Sequence, residues 1–313
     1  MNKAQEYAKR KFIQNVIKGT LLGLTLIVSL WITLNEQYHW VPDLEWRSVK
    51  KFFGVSEPLD SELPCIVYSF DVGAGDCFYI QCADHHILVD TGTFDSSKQV
   101  STALERMGVD QLDYLFLSHY HDDHTGGFEM MVHRFKPEHI VLGARTEEKR
   151  TEVYHDVLSI AQDSDSKVLF ASAGDLYQIG KLGVSVISVD SDLSTENDRS
   201  LVLRFQYGDI RMLFVGDAQE RLEKKMLEEN PEELAADWIK IAHHGSRTST
   251  SEAFLKAVSP RYAVVTCGDG GEPSQEVLMR LRQYTEAYYR TDLSGEVLFA
   301  TDGVKCEIFA EKS

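Results

Sequence analysis

The sequence predicts an α/β domain that follows one hydrophobic N-terminal helix. From Cys65 onward, short apolar runs rich in Val, Ile, Phe and Tyr alternate with stretches whose apolar residues recur at helical spacing. Such alternation is typical of sheets covered by helices. Before this region lies one long uncharged apolar run. We predict a basic tail at 1–11, a transmembrane anchor at 12–34, a linker at 35–61 and the α/β domain at 62–313.

The run Gly19–Leu34 predicts the membrane anchor because it contains no charged residue. Counting from Phe12, with Lys18 extending towards the membrane surface, gives the roughly 20 residues needed to span a bilayer. The basic residues precede the run, so the positive-inside rule places the N-terminus in the cytoplasm and the remainder outside the cell. The alternative is a cleaved secretory signal, although no small-x-small cleavage site follows Leu34. Both interpretations export the domain.

A short amphipathic helix is predicted within the linker. Asp43 can cap this helix and Gly54 can end it. Trp46, Val49 and Phe53 share one face. That face either docks on the main domain or lies on the membrane surface, and the sequence does not separate the two.

The α/β domain is predicted to contain thirteen strands and six helices. The predicted strands are 65–70, 77–82, 85–90, 114–119, 139–144, 167–172, 184–189, 200–207, 210–217, 238–244, 262–268, 287–292 and 296–303. The predicted helices are 96–107, 126–134, 148–163, 218–229, 250–258 and 274–284.

Charge narrows the classes of ligand. The chain has a formal net charge of −17. Residues 1–35 contain five Lys and Arg against one Glu, so the remainder is still more acidic than the whole. A domain of this charge has no broad attraction for the phosphates of nucleic acid, which disfavours long DNA as a substrate.

The cysteines do not indicate a zinc knuckle, because no CxxC pair is present. We expect buried free thiols, with a disulfide as the alternative if the domain is exported. The five cysteines are Cys65, Cys77, Cys82, Cys267 and Cys306.

The segment "LSHYHDDHTGG" (117–127) carries the chemistry. It follows an apolar run, so its histidines lie on the loop that leaves a strand, where open sheets place ligands. His119 and His121 can bind one metal ion, and Asp123 and His124 can bind a second, adjacent ion. Imidazole and carboxylate together suit Zn or Mn, and they are also compatible with Fe. We therefore predict two divalent metal ions, Zn or Mn.

This H-x-H-x-D-H spacing resembles the signature of the metallo-β-lactamase superfamily. Asp90 in "ILVDTG" matches the aspartate that buttresses the histidine loop, and Asp217 in "LFVGDA" matches the aspartate that bridges the two metals. The resemblance implies a four-layer αββα sandwich and a hydrolase that uses metal-activated water.

Within the superfamily, the sequence is most similar to the C-terminal hydrolase domain of ComEC-type DNA-uptake proteins and their stand-alone relatives. The blocks that carry this similarity are 71–80, 196–218, 240–268 and 289–297. Extracellular phosphorylcholine esterases are similar in the same blocks. The channel and oligonucleotide-binding modules of ComEC-type proteins have no counterpart in this sequence, so DNA uptake alone is not expected.

Three departures affect the implied site. Asn197 stands where many members have a third histidine, as is typical of the ComEC-like branch, which leaves the first metal with His119, His121, Asp217 and water. Within "HHGS" (243–246) two histidines are available. Gly271-Glu272-Pro273 replaces the usual Gly-His-Pro, so Glu272 is either a replacement ligand or exposed.

The resemblance also implies individual roles. We expect His244 to complete the second site with Asp123 and His124, while His243 faces the substrate as electrophile or proton donor. A reversal of these two roles remains open. Asp123 is expected to orient the attacking water. His243 and the backbone around Gly245 and Ser246 are expected to stabilise developing charge.

Other polar features are interpreted as structural. The segment "GAGD" (73–76) is predicted to be a plain turn, because neither a helix nor a Lys follows it. The acidic stretch "DSDLSTEND" is predicted to be a solvated loop. Five histidines are expected to be structural or on the surface: His85, His86, His133, His139 and His155.

The sequence therefore predicts an exported, membrane-anchored dinuclear metal hydrolase of the phosphodiesterase or nuclease type. Its expected partners are a phosphoester substrate, either DNA or a cell-wall component, and the membrane through the N-terminal helix. We infer no obligate protein partner. The alternatives are hydrolysis of a phosphorylcholine ester or another small ester or amide on the same fold, and a catalytically inactive surface-binding module.

Overall fold

A computed structural model describes residues 59–143, 151–189, 195–268 and 272–312, together with Lys18, Gly23, 25–31, 33 and 34. The chain divides into two compact units, 1–58 and 59–313. The described positions within the predicted anchor are helical. Across the part of the chain that the structure describes, no helix combines the length and the hydrophobicity needed to cross a membrane. The predicted linker helix lies outside the described residues.

The second unit is built from two sheets. In chain order the strands are β1 (Cys65–Ser69), β2 (Phe78–Cys82), β3 (His85–Val89), β4 (Tyr114–Phe116), β5 (His139–Leu142), β6 (Lys167–Phe170), β7 (Leu176–Ile179), β8 (Leu182–Ser188), β9 (Val202–Tyr207), β10 (Ile210–Phe214), β11 (Trp238–Lys240), β12 (Tyr262–Val265), β13 (Ala287–Arg290), β14 (Val297–Thr301) and β15 (Cys306–Ala310).

Helices separate most of the parallel strands. They are α1 (Ser97–Arg106), α2 (Asp122–Thr125), α3 (Phe128–Phe135), α4 (Glu152–Asp163), α5 (Glu220–Glu229), α6 (Glu252–Val258), α7 (Gln275–Tyr284) and α8 (Thr291–Ser294). Short 3₁₀ turns cover Asn197–Arg199, Pro231–Glu233 and Ala242–Gly245.

Each sheet has a parallel half and an antiparallel half. The first sheet has the order β15-β14-β1-β2-β3-β4-β5-β6 and is parallel from β3 to β6. The second has the order β13-β12-β11-β10-β9-β8-β7 and is parallel from β10 to β13. In both sheets the parallel strands are followed by loops that lead into helices, and these loops carry the polar side chains of the site.

Three apolar cores show that the domain has four layers. In β1, Ile66 and Tyr68 pack against the helices that cover the first sheet, whereas Cys65 and Val67 face the second sheet. This alternation follows from the two-residue period of a strand. A third core lies between the second sheet and helices α5, α6 and α7. The predicted α/β class is confirmed, and the layers are arranged helix, sheet, sheet, helix.

All six predicted helices are present, and two strands were missed. Strand β7 is an edge strand whose residues are largely exposed, and β15 is an edge strand with alternating partial burial. Edge strands bury one side at most, so they lack the continuous apolar run by which the central strands were identified. The prediction of free thiols agrees with the structure, which leaves all five cysteines unpaired and four of them buried.

Candidate metal centre

The polar side chains of the site follow the carboxyl ends of four strands. Asp90 follows β3, the segment 119–124 follows β4, Asp217 follows β10, and the turn at 243–245 follows β11. Because two sheets pack face to face, these strand ends meet at one edge of the sandwich. Such edges are where α/β proteins place ligands.

Three side chains form the first cluster of potential metal ligands. His119, His121 and Asp217 offer ligand atoms that all lie within 4.8 Å of one another. Nε2 of His119 lies 3.1 Å from Nδ1 of His121 and 3.8 Å from Oδ2 of Asp217. These are the three protein ligands expected for the first metal.

Four side chains form the second cluster. Asp123, His124, Asp217 and His244 offer ligand atoms within the same 4.8 Å limit. Nε2 of His124 lies 3.4 Å from Oδ1 of Asp217, and Nε2 of His244 lies 3.2 Å from Oδ2 of Asp123. Asp217 belongs to both clusters, which is the arrangement that a bridging carboxylate requires.

Asp90 orients two of the histidines. Its Oδ2 lies 2.9 Å from Nδ1 of His124, and its two oxygens accept from the amide and the hydroxyl of Ser118, each at 2.7 Å. The Ser118 hydroxyl also lies 3.0 Å from Nδ1 of His119. With their Nδ1 atoms engaged, both histidines turn Nε2 towards Asp217, and hydrogen bonds of this kind at the other ring nitrogen fix the orientation of metal-binding histidines.

His124 shows that the cluster fits a metal ion. Its Nδ1 is held by Asp90, so Nε2 is the nitrogen left for a ligand, and this buried atom has no hydrogen-bond partner. A buried polar atom without a partner is costly, and native structures rarely leave one without a reason. A cation held by Nε2 together with the Asp123 and Asp217 carboxylates would satisfy it. The donor set of imidazole and carboxylate suits Zn or Mn.

A strained turn separates His243 from His244. Three consecutive residues, 243 to 245, have φ values of 48°, 53° and 81°. This turn directs Nδ1 of His244 to the carbonyl of Thr266 at 2.9 Å, and Nε2 into the second cluster. Nε2 of His243 instead lies 3.2 Å from Nδ2 of Asn197 and 3.9 Å from Oδ2 of Asp217. The structure thus brings His244 into the cluster and leaves His243 at its margin.

The electrostatics of the cluster suit a cation. Burial alone would raise the pKa of Asp217, but His124, Lys240 and His244 hold it well below its ordinary value. The pKa of Asp123 is also lowered, because His244 and His124 outweigh its burial. Burial and the neighbouring His124 lower the pKa of His119 well below its usual range. Ionised carboxylates and neutral imidazoles are the forms that bind metal. The surrounding carboxylates outweigh burial and raise the pKa of His124 and His244, so a metal ion at the second cluster would take the place of the protons on these two histidines.

Two buried residues of this region were missed by the sequence analysis. Asp76, interpreted as part of a plain turn, places Oδ2 2.5 Å from Nζ of Lys240, and both side chains are 1% exposed. Asp76, Asp90 and His124 also form a third group of ligand-type atoms, although the Lys240 ammonium already lies against Asp76. The sequence feature that could have indicated this pair is Lys240, a charged residue with apolar neighbours on both sides in a predicted strand.

The remaining predicted residues lie outside the two clusters. Asn197 is buried and contacts His243, but its Oδ1 has no hydrogen-bond partner. The amide of Ser246 donates to the carbonyl of His243 at 2.8 Å, and its hydroxyl lies 3.3 Å from that of Thr248. The Ser246 amide is therefore engaged within the turn, and the expected role of the backbone around Gly245 and Ser246 stays a prediction.

Glu272 joins neither cluster of the described residues. Its side chain is half-buried, and Oε2 is buried without a hydrogen-bond partner. The pKa of His243 is lowered by burial, and the charges of Asp217 and Glu272 partly oppose that effect. Glu272 is thus neither a ligand of these clusters nor freely exposed, and its charge acts on His243.

The five histidines predicted to be structural or on the surface make contacts outside the site. His85 pairs with Asp113 at 2.8 Å, and His86 lies 2.6 Å from the hydroxyl of Tyr79. The rings of His139 and His155 contact tyrosines, and His133 is exposed beside Glu129. Their interpretation as structural or surface residues agrees with these positions.

Comparison with known proteins identifies the fold and its relatives. Residues 70–269 match the family described as the metallo-beta-lactamase superfamily. The chain is 28% identical over 265 residues to ComE operon protein 3 of Bacillus subtilis, a match that covers 75% of this chain and 34% of that protein. It is 29% identical over 251 residues to competence protein ComA of Neisseria gonorrhoeae, covering 76% of this chain and 33% of that protein.

The match thus spans about a third of the length of these relatives. Among solved structures, CmlA, a diiron beta-hydroxylase from Streptomyces venezuelae, superposes with a TM-score of 0.50 at 12% identity. That superposition covers 89% of this chain and 59% of CmlA. At this identity the likeness concerns the fold alone.

Proposed function

The chain belongs to the metallo-beta-lactamase superfamily, and on that premise we propose that it is a metal-dependent phosphodiesterase. The observation that carries the proposal is the pair of ligand clusters that share Asp217. Two clusters joined by one carboxylate suit two adjacent divalent ions, for which we propose Zn or Mn. When bound, such ions supply an acidified water near neutral pH and a Lewis acid for a phosphoryl oxygen.

The chain's own residues supply orientation and access. The side chain of Asp217 is 2% exposed, so it would contact the metals from the protein interior and not from the solvent side. The side chain of Asp123 is 33% exposed, so it can accept a hydrogen bond from a water that enters the site and orient that water. His243 is 27% exposed and lies beside Asp217. We propose that it contacts the substrate, because it borders the clusters without belonging to them.

The phosphoester class rests on relatives whose names are those of competence proteins. Because the match covers about a third of each, their activity in DNA uptake is not transferred to this chain. The acidity of the chain, with a net charge of −17, favours a short phosphodiester over long DNA.

A phosphodiester with a cationic head group is the second candidate, and Glu272 favours it. A carboxylate oxygen that is buried without a partner, and whose charge acts on His243, can pair with a substituted ammonium such as choline. This candidate keeps the same metal chemistry and differs in the group that leaves the phosphate. An inactive binding module is disfavoured, because the described residues bring every predicted metal ligand into one of the two clusters.

We also propose that the enzyme is exported and anchored by residues 12–34, with its N-terminus in the cytoplasm. The proposal is supported by the uncharged run 19–34, which follows a basic tail in the sequence. A reporter fused after residue 60 should be active outside the cytoplasm. A reporter that is active only in the cytoplasm would reverse this topology.

A substrate panel tests the proposed activity. The purified full chain, loaded with Mn or Zn, should cleave bis-p-nitrophenyl phosphate, and the His121→Ala and Asp217→Ala variants should not. His133→Ala is the matched control, since this histidine is exposed and far along the next helix. Single-stranded DNA, p-nitrophenyl phosphorylcholine and a β-lactam then separate the candidate classes. Turnover of the β-lactam alone would contradict the phosphodiesterase proposal.

A further inference from the structure

We infer that Lys240 is a positioning residue of the metal centre, holding the shared carboxylate of Asp217 in its bridging orientation. The inference rests on the proposed metal centre and adds a residue that belongs to neither ligand cluster. Lys240 closes β11, directly before the turn that carries His243 and His244. Among the described residues it is the only lysine that is buried.

Lys240 is buried although it carries a charge, since its side chain is 1% exposed. A buried ammonium requires partners, because it has lost its hydration. Nζ lies 2.5 Å from Oδ2 of Asp76, 2.6 Å from the carbonyl of Gly216 and 3.2 Å from Oδ1 of Asp217. Three acceptors therefore match the three donors of an ammonium group.

Asp217 is held both at its side chain and at its backbone amide. Lys240 contacts Oδ1, which also lies 3.4 Å from Nε2 of His124, while Oδ2 lies 3.8 Å from Nε2 of His119 and 3.7 Å from Nε2 of His244. The amide of Asp217 donates to the hydroxyl of Ser200 at 3.0 Å. A carboxylate that serves two metals must hold one orientation, and the Lys240 ammonium restricts its rotation.

Asp76 extends the same network to His244. The hydroxyl of Thr266 donates to Oδ1 of Asp76 at 2.5 Å, and the carbonyl of Thr266 accepts from Nδ1 of His244 at 2.9 Å. Lys240 thus contacts one proposed ligand directly and supports another through Asp76 and Thr266. Partners of this kind outside the ligand shell typically change metal affinity by about 10- to 100-fold when they are removed.

The test must remove the Lys240 contact without leaving a lone buried charge. Lys240→Met alone would strand the Asp76 carboxylate, and the chain would then lose stability for that reason. The double variant Asp76→Asn/Lys240→Met removes both charges and keeps an acceptor for Thr266. Asp76→Asn/Lys240→Gln is the conservative partner, because the Gln amide can still donate to Asp217. Glu223→Gln is the matched control, a buried carboxylate that accepts from Ser251 at 2.9 Å, away from the metal centre.

The measurement is the Kd for Mn²⁺ and Zn²⁺, by competition with a chromogenic chelator, on full-length protein whose folding is checked by circular dichroism. The Asp76→Asn/Lys240→Met variant should bind metal about 10- to 100-fold more weakly than the wild type. The Gln variant should recover part of that loss, and Glu223→Gln should bind as the wild type does. Equal affinity in the wild type and a folded Met variant would overturn the inference.

Two further outcomes are separable. If the wild type binds no metal, both the proposed function and this inference fail. If neither double variant folds, the test is made on the wild type by NMR. The measured quantity is the ¹⁵N chemical shift of the Lys240 ammonium group, which burial protects from exchange with water. That signal should shift when Zn²⁺ is added, and an unchanged signal would overturn the role of Lys240.

Discussion

Nδ1 of His124 lies 2.9 Å from Oδ2 of Asp90, and both side chains are buried. Asp90 makes this contact from a left-handed backbone conformation, with φ of 57°. Such a conformation is unfavourable for a non-glycine residue unless its surroundings compensate for it. Here the compensation is a carboxylate that accepts from Ser118 as well as from His124. The contact determines which nitrogen of His124 is free to bind a metal.

Replacing Asp90 should therefore weaken metal binding without removing a ligand. In Asp90→Asn the amide nitrogen would oppose a donor, either His124 or Ser118. We expect the Kd for Mn²⁺ or Zn²⁺ to rise by about 10- to 100-fold. Asp113→Asn is the control, since Asp113 makes a similar contact with His85, at 2.8 Å, outside the site. Equal losses of affinity in both variants would point to a general effect on folding.

The two adjacent histidines should differ in what their removal changes. His244→Ala should lower the bound metal, because Nε2 of His244 lies in the second cluster. His243→Ala should keep its metal and lose turnover by about 10²- to 10⁴-fold, the usual range for a group that transfers a proton. Metal content by mass spectrometry and kcat on bis-p-nitrophenyl phosphate distinguish them. The reverse pattern would exchange the two roles.

The histidine loop depends on Gly126 for close packing. A Cβ at this position would lie 2.3 Å from the amide nitrogen of Phe94 and 2.7 Å from the carbonyl oxygen of Asp122. Both are backbone atoms and cannot move aside easily. Gly126→Ala should lower the free energy of unfolding by about 1–3 kcal/mol, as overpacked cores do. Urea denaturation measures this loss.

Gly183→Ala is the control for that experiment. A Cβ at Gly183 would meet nothing closer than 3.9 Å. Its stability should stay within about 1 kcal/mol of the wild type or rise. If both alanine variants unfold at the same urea concentration, the packing argument for Gly126 is wrong.

Glu223 should make the stability of the domain depend on pH. Burial raises the pKa of this carboxyl group above its ordinary value, although Ser251 and Thr250 donate hydrogen bonds that oppose the shift. A raised folded-state pKa means that the folded protein binds the proton more tightly than the unfolded chain. Its stabilising contribution is present below the unfolded-state pKa and is lost as the pH rises through the folded-state pKa.

The measurement compares the wild type with Glu223→Gln, which does not titrate. The difference in unfolding free energy, wild type minus variant, should be largest near pH 4, about the ordinary pKa of Glu. It should shrink as the pH approaches 8. A difference that grows with pH would have the opposite sign and would rule out a raised pKa for Glu223.

Much of the fold was predictable because its central strands are buried on both faces. Such strands form continuous apolar runs, and β1 and β12 stand out in the sequence for this reason. The edge strands β7 and β15 were not recognised because part of their surface faces solvent. The sequence showed helix α4 as starting at 148, and the structure begins it at Glu152, where Thr151 caps it.

The candidate site was predictable where ligands follow one another in the chain. His119, His121, Asp123 and His124 share one loop, and their spacing alone suggested two metal positions. Asp76 and Lys240 were missed because their pairing joins positions 164 residues apart and depends on how the two sheets pack. The hydrogen bond of the Ser246 amide could not be foreseen, because the strained turn at 243–245 directs that amide to the carbonyl of His243.

The central claim is that Asp217 serves two metals at once. The direct measurement is the number of metal equivalents bound per chain, by mass spectrometry, in the wild type and in Asp217→Asn after equilibration with Mn²⁺ or Zn²⁺. We predict close to two equivalents in the wild type and fewer than one in the variant, because both clusters lose the same ligand. Two equivalents retained in Asp217→Asn, or well below one in the wild type, would contradict the account.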